Sequence, residues 1–391
     1  MFRNTLILLI SMLLVAACGD EDNVEPPAEL TEFDRTHYLH LEWSASTSDS
    51  IAQQYLYIEP LLLEERIVTA GRNGTLNAYD LETGEELAEV ELDVALSGGV
   101  GGTEDIWLVG SQNGELIAVD ANANDILWRT AVPSEILARP VVYNRKVVLV
   151  RTADGQILGI DINSGRINWN FSRTIPALTL RGSSPPTLSR AHVYTGLESG
   201  RLIAVSPIDG EVAWDVALTV PQGRSEIQRL VDIDGRSELY GRILYAVSYQ
   251  GRIGAIDVTR GQFLWARPFS SNTGVSVGTE AVFSTDDRSH VWALDRNNGA
   301  TLWKQDKLQA RGVTRPVIYK DFLVVGDALG YVHVMSRFDG RFVARTQVDS
   351  DGVLVPPVVD DDRLLVLSRD GYLAAFALRE SAPYTDEELF E

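Results

Sequence analysis

The chain is poor in the residues that build reactive sites. It has one cysteine, Cys18, in 391 residues, which excludes an internal disulfide framework and any cysteine-rich zinc or iron–sulfur centre. Its five histidines are scattered, too dispersed for a histidine-based metal centre. Positive charge is scarce as well: 34 Lys plus Arg stand against 55 Asp plus Glu, a formal net charge of -21. Phosphate backbones are gripped by clustered Lys and Arg, so the composition argues against a nucleic-acid partner. No Gly-x-x-x-x-Gly-Lys-Ser/Thr phosphate loop occurs, and nothing points to a nucleotide as an energy source. Beyond the first 17 residues no apolar run reaches spanning length. Apolar residues still make up 45% of the chain, too many for disorder throughout. Glycine is slightly enriched, at 32 residues, which suits a fold with many tight turns.

The amino end reads as an address. Arg3 precedes an uncharged stretch from Thr5 to Ala17, shorter than the roughly 20 residues of a transmembrane helix and fitting a signal-peptide core. Val15-Ala16-Ala17-Cys18 resembles the bacterial lipobox. In such precursors cleavage falls before the cysteine, which carries the lipid, so the resemblance makes Cys18 the lipidation site. Gly19 follows, where lipoproteins retained in the inner membrane often have Asp. By the same resemblance the mature chain is anchored in the inner leaflet of the outer membrane and faces the periplasm. The acidic stretch up to Asp34, with Pro26 and Pro27, is expected to be a flexible tether. The expected organisation is a signal peptide over 1–17, lipidated Cys and tether over 18–34, one folded domain over 35–380 and an acidic tail over 381–391.

The folded part is written in one phrase: Gly-x-Leu-x-Ala-x-Asp, three turn residues, Gly, and four further residues to Trp. It opens at Gly74, Gly114, Gly155, Gly200, Gly251, Ser289, Gly330 and Gly371, with gaps of 40, 41, 45, 51, 38, 41 and 41 residues. Eight units at that period predict an all-β, eight-bladed propeller of four-stranded antiparallel blades. Side chains between the opening Gly and the Asp alternate, as in a half-buried strand. Asp, Asn or Ser then starts a turn, and Gly84, Gly165, Gly210, Gly261, Gly299 and Gly340 supply positive φ.

Trp128, Trp169, Trp214, Trp265 and Trp303 end the second strand of their units. A large amphipathic ring at one repeated position packs blade against blade. The repeated Asp80, Asp120, Asp161, Asp257 and Asp295 could be imagined as a carboxylate ring, but Ser206, Ser336 and Ala377 interrupt it. Turn capping explains their spacing, and no metal or cofactor is expected. The eighth unit lacks a Trp, whereas Trp43 stands 31 residues before Gly74, the spacing of Trp169 to Gly200. A strand around residues 40–44 is therefore predicted to complete the last blade, with Trp43 as its packing residue.

Two gaps are longer than the others, and both extra stretches follow the unit's Trp. The first is FSRTIPALTLRGSSPPT (171–187) and the second ALTVPQGRSEIQRLVDIDGRSE (217–238). They occupy the same slot in successive units, so a propeller places them side by side on one rim. Loops on a rigid scaffold are where binding commonly resides. Leu178, Leu180 and Arg181 combine apolar area with a multidentate donor, as protein hot spots do. Arg224, Arg229, Asp232 and Asp234 can give directional polar contacts. The plain alternative is that these groups only cap the propeller or pair internally.

The lipobox, the eight units, LTLRG over 178–182 and EIQRLVDID over 226–234 together resemble the BamB family. These are propeller lipoproteins of the bacterial outer-membrane β-barrel assembly (BAM) machinery, and the resemblance spans essentially the whole chain. It implies a non-enzymatic scaffold that binds the periplasmic POTRA domains of the barrel subunit BamA and helps present unfolded barrel precursors. It assigns BamA binding to Leu178, Leu180 and Arg181, with the acidic pair matching Asp232 and Asp234. The chain departs from the repeat at Ala88, in place of Trp, and Asn124, in place of Gly. The rival readings are a quinone-dependent dehydrogenase, which uses the same propeller with a central cofactor, and a polysaccharide-binding or adhesion lipoprotein. The first is disfavoured because no non-repeated acidic cluster is found to sit over a central funnel.

Overall fold

The structure is a computed structural model and describes residues 25–47, 58–176, 178–180 and 182–381. Their strands form eight four-stranded antiparallel sheets, each ordered from the hub outward. The first blade comprises Leu61–Leu62, Arg66–Ala70, Thr75–Asp80 and Glu86–Glu91. Six more follow over 96–131, 141–172, 187–217, 238–269, 275–305 and 317–347. The last blade takes Val358–Asp360, Arg363–Leu367 and Tyr372–Glu380 from the end of the chain and His37–Ser46 from its beginning. His37 pairs with Glu380 and Ser46 with Tyr372, so the predicted closure is present.

The alternation expected for the third strand of each blade is not what burial shows. In Glu115–Asp120 the run Leu116, Ile117, Ala118, Val119 is buried on both faces. Each blade is sandwiched between two others, so its middle strands behave like those of a sheet covered on both sides. Alternation survives in the outermost strands: Ile167–Ser172 exposes every other residue to a greater degree. The core is accordingly a series of clusters between blades. Between the fourth and fifth, for example, Tyr194, Leu202, Ala204, Leu244, Ala246 and Ile256 interlock, each large side chain contributing roughly 1.5–3 kcal/mol by leaving water.

The repeated phrase encodes a joint. Within a blade each Trp lies opposite a small residue: Trp128 opposite Ala118, Trp169 opposite Gly159, Trp265 opposite Ala255, Trp43 opposite Ala375. A one-residue bulge follows at that point in each of these pairs. The indole then reaches the next blade and donates Nε1–H to a turn carbonyl. Trp43 reaches Leu81, Trp128 Ile162, Trp169 Pro207, Trp214 Val258, Trp265 Arg296 and Trp303 Arg337, at 2.8–3.2 Å. The ring lies on that turn's glycine so closely that a Cβ on Gly299 would stand 2.6 Å from Trp265 Cε3. Gly84, Gly165, Gly210, Gly261 and Gly340 meet the preceding blade's Trp in the same way.

Two of the departures in the repeat, Ala88 and Asn124, fall on a single joint. Ala88 stands at the Trp position of the first blade, and the turn it would have covered in the second carries Asn124 at φ 57°. Without an indole above it, the turn tolerates a side chain. The repeated aspartates do as expected: Asp120 Oδ1 accepts the N–H groups of Asn122 and Ala123 at 2.8 and 3.0 Å, and Asp295 those of Asn297 and Asn298 at 2.9 and 3.1 Å. These bonds to the ionised form hold the Asp120 carboxyl below its ordinary range. Among the described residues no group of three or more His, Cys, Asp or Glu is placed to hold a metal ion.

The expected flexible tether over 18–34 is corrected for its second half. Residues 25–34 lie against the sixth and seventh blades. Ala28 N–H donates to Gln309 O at 2.9 Å, and Arg311 and Arg345 donate to the carbonyls of Ala28 and Thr31 at 2.9 and 3.1 Å. Phe33 packs on Phe342 with ring centroids 5.6 Å apart, and the Arg345 guanidinium lies 4.9 Å from the Phe33 centroid. Leu30 and Phe33 supply the apolar contact that an acidic, proline-bearing composition concealed.

Candidate partner-binding rim

Successive blades are joined from the outermost strand of one to the innermost of the next, which brings all such connections to one face. The two long ones, 173–186 and 218–237, are neighbours on that face and are bound to each other. Ser184 Oγ donates to Gly235 O at 3.2 Å, and Thr187 Oγ1 to Ser237 O at 2.7 Å. Leu180 N–H donates to Asp232 Oδ2. At Gly182 the first loop passes so close that a Cβ would lie 2.7 Å from Asp234 Cγ.

The motif VDID is a wedge. Ile233 is fully buried against Gly196, where a Cβ would come within 2.1 Å of it. Ile136 and Val353 fill the same place against Gly110 and Gly326 in other blades. Ile233 N–H bonds Leu197 O, and Asp232 O accepts from Tyr249 N–H at 2.8 Å, so the segment is pinned between the fourth and fifth blades.

Asp232 and Asp234 flank this wedge and are not on the surface. Asp232 is 0% exposed, and both oxygens of Asp234 are shielded from solvent. Nearby, Arg151 and Glu198 form a buried ion pair at 2.6 Å. Burial pushes the Asp232 carboxyl up to about 6, opposed by the Leu180 N–H. Burial and then the charge of Asp232 push Asp234 up to about 8, with Arg151 opposing. The expectation that these two carboxylates meet a partner directly is therefore corrected: their oxygens are enclosed, and what Asp232 touches is the backbone of the first loop.

The exposed groups are different ones. Leu178 is 41% exposed and Leu180 half-buried. Arg181 and Cys18, the expected lipidation site, lie outside the described residues. Arg224 and Arg229 are exposed on the second loop, where Gln228 Oε1 accepts Arg224 N–H at 2.9 Å and Arg229 pairs loosely with Glu226 at 3.9 Å. Two apolar residues escaped the sequence reading: Val220, 62% exposed, and Ile227, 66% exposed on a short 3-10 turn, Ile227–Arg229, that buries none of its residues. An isoleucine set among Arg224, Glu226 and Arg229 was the available signal.

Eight radial four-stranded blades closed by the amino-terminal strand, with a face of interlocked loops, define an eight-bladed propeller that offers a surface. The family model described as outer membrane protein assembly factor BamB matches residues 72–305 and 298–381. Relatives of that name from Pseudomonas aeruginosa and Yersinia pestis are 39% and 33% identical, covering 95% and 96% of this chain and 98% and 99% of their own lengths. The crystal structure of BamB from Moraxella catarrhalis matches 87% of this chain and 99% of that chain, with 29% identity and a TM-score of 0.80. A quinohemoprotein alcohol dehydrogenase from Comamonas testosteroni, 14% identical at a TM-score of 0.69 over 89% of this chain and 78% of its own, shares the fold alone. The chain belongs to the BamB family. It is thereby a non-enzymatic, lipid-anchored scaffold of the outer membrane, facing the periplasm.

Proposed function

We propose that this scaffold serves the outer-membrane β-barrel assembly complex by binding the periplasmic POTRA domains of BamA through the 173–186 loop and assisting delivery of unfolded barrel precursors. The observation that carries the reading is the contrast within the rim. Leu178 projects to solvent, while the backbone two residues on is held from beneath by Asp232. A loop braced in this way presents its apolar group without the entropy cost of ordering it on binding. Val220 and Ile227 extend the apolar area, and Arg224 and Arg229 give it a positive edge on an acidic protein. In this arrangement Asp232 and Asp234 act as positioning residues, and Leu178, Leu180 and Arg181 form the contact.

Detergent co-purification from native membranes tests it. Wild type should recover the BamA barrel subunit. Leu178→Asp should lose it while melting within about 2 °C of wild type, as exposed substitutions do. Recovery of the barrel subunit by a folded Leu178→Asp, Leu180→Asp, Arg181→Ala variant would move the contact off this loop.

A further inference from the structure

The innermost strands surround a hub cavity of about 860 Å³. Arg139, Arg236 and Arg315 line it, each two residues ahead of the inner strand of the third, fifth and seventh blades. The equivalent place in the first blade holds Glu59, and Glu238 completes the charged lining. Three guanidiniums against two carboxylates leave the lumen formally positive by one, inside a chain whose net charge is -21.

These arginines are not held as the others are. Arg151, Arg201, Arg311 and Arg337 each sit within 2.9 Å of a carboxylate oxygen. None of the three hub arginines forms an ion pair among the described residues. Arg315 Nη1 donates to Ser276 Oγ at 2.6 Å, and the Arg139 and Arg236 side chains have no hydrogen-bond partner among the described residues. Ser237 Oγ, buried in the same wall, also lacks one. Burial holds the Arg139 and Arg315 guanidiniums below the ordinary arginine range, and the charge of Arg236 depresses both further. Glu59 opposes this at both, and Glu238 at Arg315. Glu238 itself is pushed up by burial, with Oε2 occupied by Val277 N–H at 3.2 Å.

We propose that the hub binds a small, multiply charged oxyanion of the phosphate or polycarboxylate class, clasped by Arg139, Arg236 and Arg315. Planar guanidinium forks match the oxygens of either class. Partial exclusion of water at Arg139 and Arg315 strengthens their contacts relative to the open surface, while Arg236 is exposed in the lumen. The ligand neutralises like charges that Glu59 and Glu238 balance only in part, and it ties three alternate blades together across the ring.

The test uses the whole mature chain in chloride buffer, titrated separately with inorganic phosphate and with citrate by calorimetry and thermal melts. Saturable binding of at least one is expected, with Tm rising with ligand concentration as linkage requires. Binding of phosphate alone assigns the first class, of citrate alone the second. Arg236→Gln should weaken binding about tenfold or more, the worth of one charge-assisted hydrogen bond. Without ligand the same variant should melt close to wild type, because the repulsion it removes at Arg139 and Arg315 is offset by the attraction it removes at Glu238. Saturating ligand should open a gap, with wild type melting higher. Absence of saturable binding of either anion up to about 10 mM, far weaker than typical specific sites, overturns the proposal. So does unchanged affinity in a folded Arg139→Gln, Arg236→Gln, Arg315→Gln variant.

Discussion

Gly299→Ala probes what holds one blade to the next. Gly299 sits at φ 73°, and an added Cβ would stand 2.6 Å from Trp265 Cε3, 2.8 Å from Cζ3 and 3.0 Å from Cδ2. The left-handed backbone costs an alanine roughly 1–2 kcal/mol. Displacing the indole adds about 1–3 kcal/mol of overpacking strain, and it stretches the 2.9 Å bond from Trp265 Nε1 to Arg296 O. The total is a loss of about 2–5 kcal/mol. Asn124→Ala is the matched control. It keeps a left-handed turn, at φ 57°, but the facing position is Ala88, so only the backbone cost of about 1 kcal/mol applies. Urea midpoints at unchanged slope measure both. Adding Trp265→Ala closes a double-mutant cycle in which the excess cost of Gly299→Ala should disappear. Losses for the two single variants equal within about 0.5 kcal/mol would refute the idea that the indole excludes the Cβ.

Two further outcomes follow from the rim and the amino-terminal segment. The Asp234 carboxyl, raised to about 8, holds a proton in the folded state that the unfolded chain releases near pH 4. Its effect on stability is therefore most favourable below that pH and is lost as pH rises through about 8. Asp234→Asn should melt above wild type at pH 9 and approach it at pH 4; a gap that does not change with pH would count against the buried, protonated carboxyl. Phe33→Ala should speed proteolytic cleavage before residue 37 and leave the main melting transition within a few degrees, because Phe33 is only partly buried at the margin of the cluster between the sixth and seventh blades. Unchanged cleavage would mean that the arginine-to-carbonyl bonds alone hold the segment.

What the sequence made legible is what repeats. Blade number, the closing strand and the packing role of Trp43 and its counterparts follow from a fixed spacing, because each blade meets its neighbour by the same joint. The pairing of Ala88 with Asn124 was also written there, as two separate exceptions, and only the blade-to-blade reach of the indole shows them to be one. Buried strands looked alternating because Leu and Ala recur at every second position of the phrase, but the residues between them are apolar as well, as in Leu116-Ile117-Ala118-Val119. The insertions carry no period, so nothing told inward from outward at Asp232 and Asp234. Their enclosure depends on Ile233 filling a place that Ile136 and Val353 fill elsewhere. The hub arginines were hidden by distance along the chain, although Arg-Pro-Val at 139–141 recurs at 315–317.

The last blade also sets the order of assembly. His37–Ser46 has no sheet to join until Tyr372–Glu380 is available, and an exported chain enters its compartment amino end first. The strand that arrives earliest must wait for the one that arrives latest, with its hydrogen-bonding edges unpaired and Trp43 in water. The strap over 25–34 waits as well, since its anchors Gln309, Arg311 and Arg345 lie in the last quarter of the sequence. Seven blades can stack progressively as the chain crosses, but the circle is completed in one late event of very high contact order. Until then the molecule is an open arc with two raw ends, and the interval between arrival and closure is when it is most exposed to proteases and to mispairing with other strands.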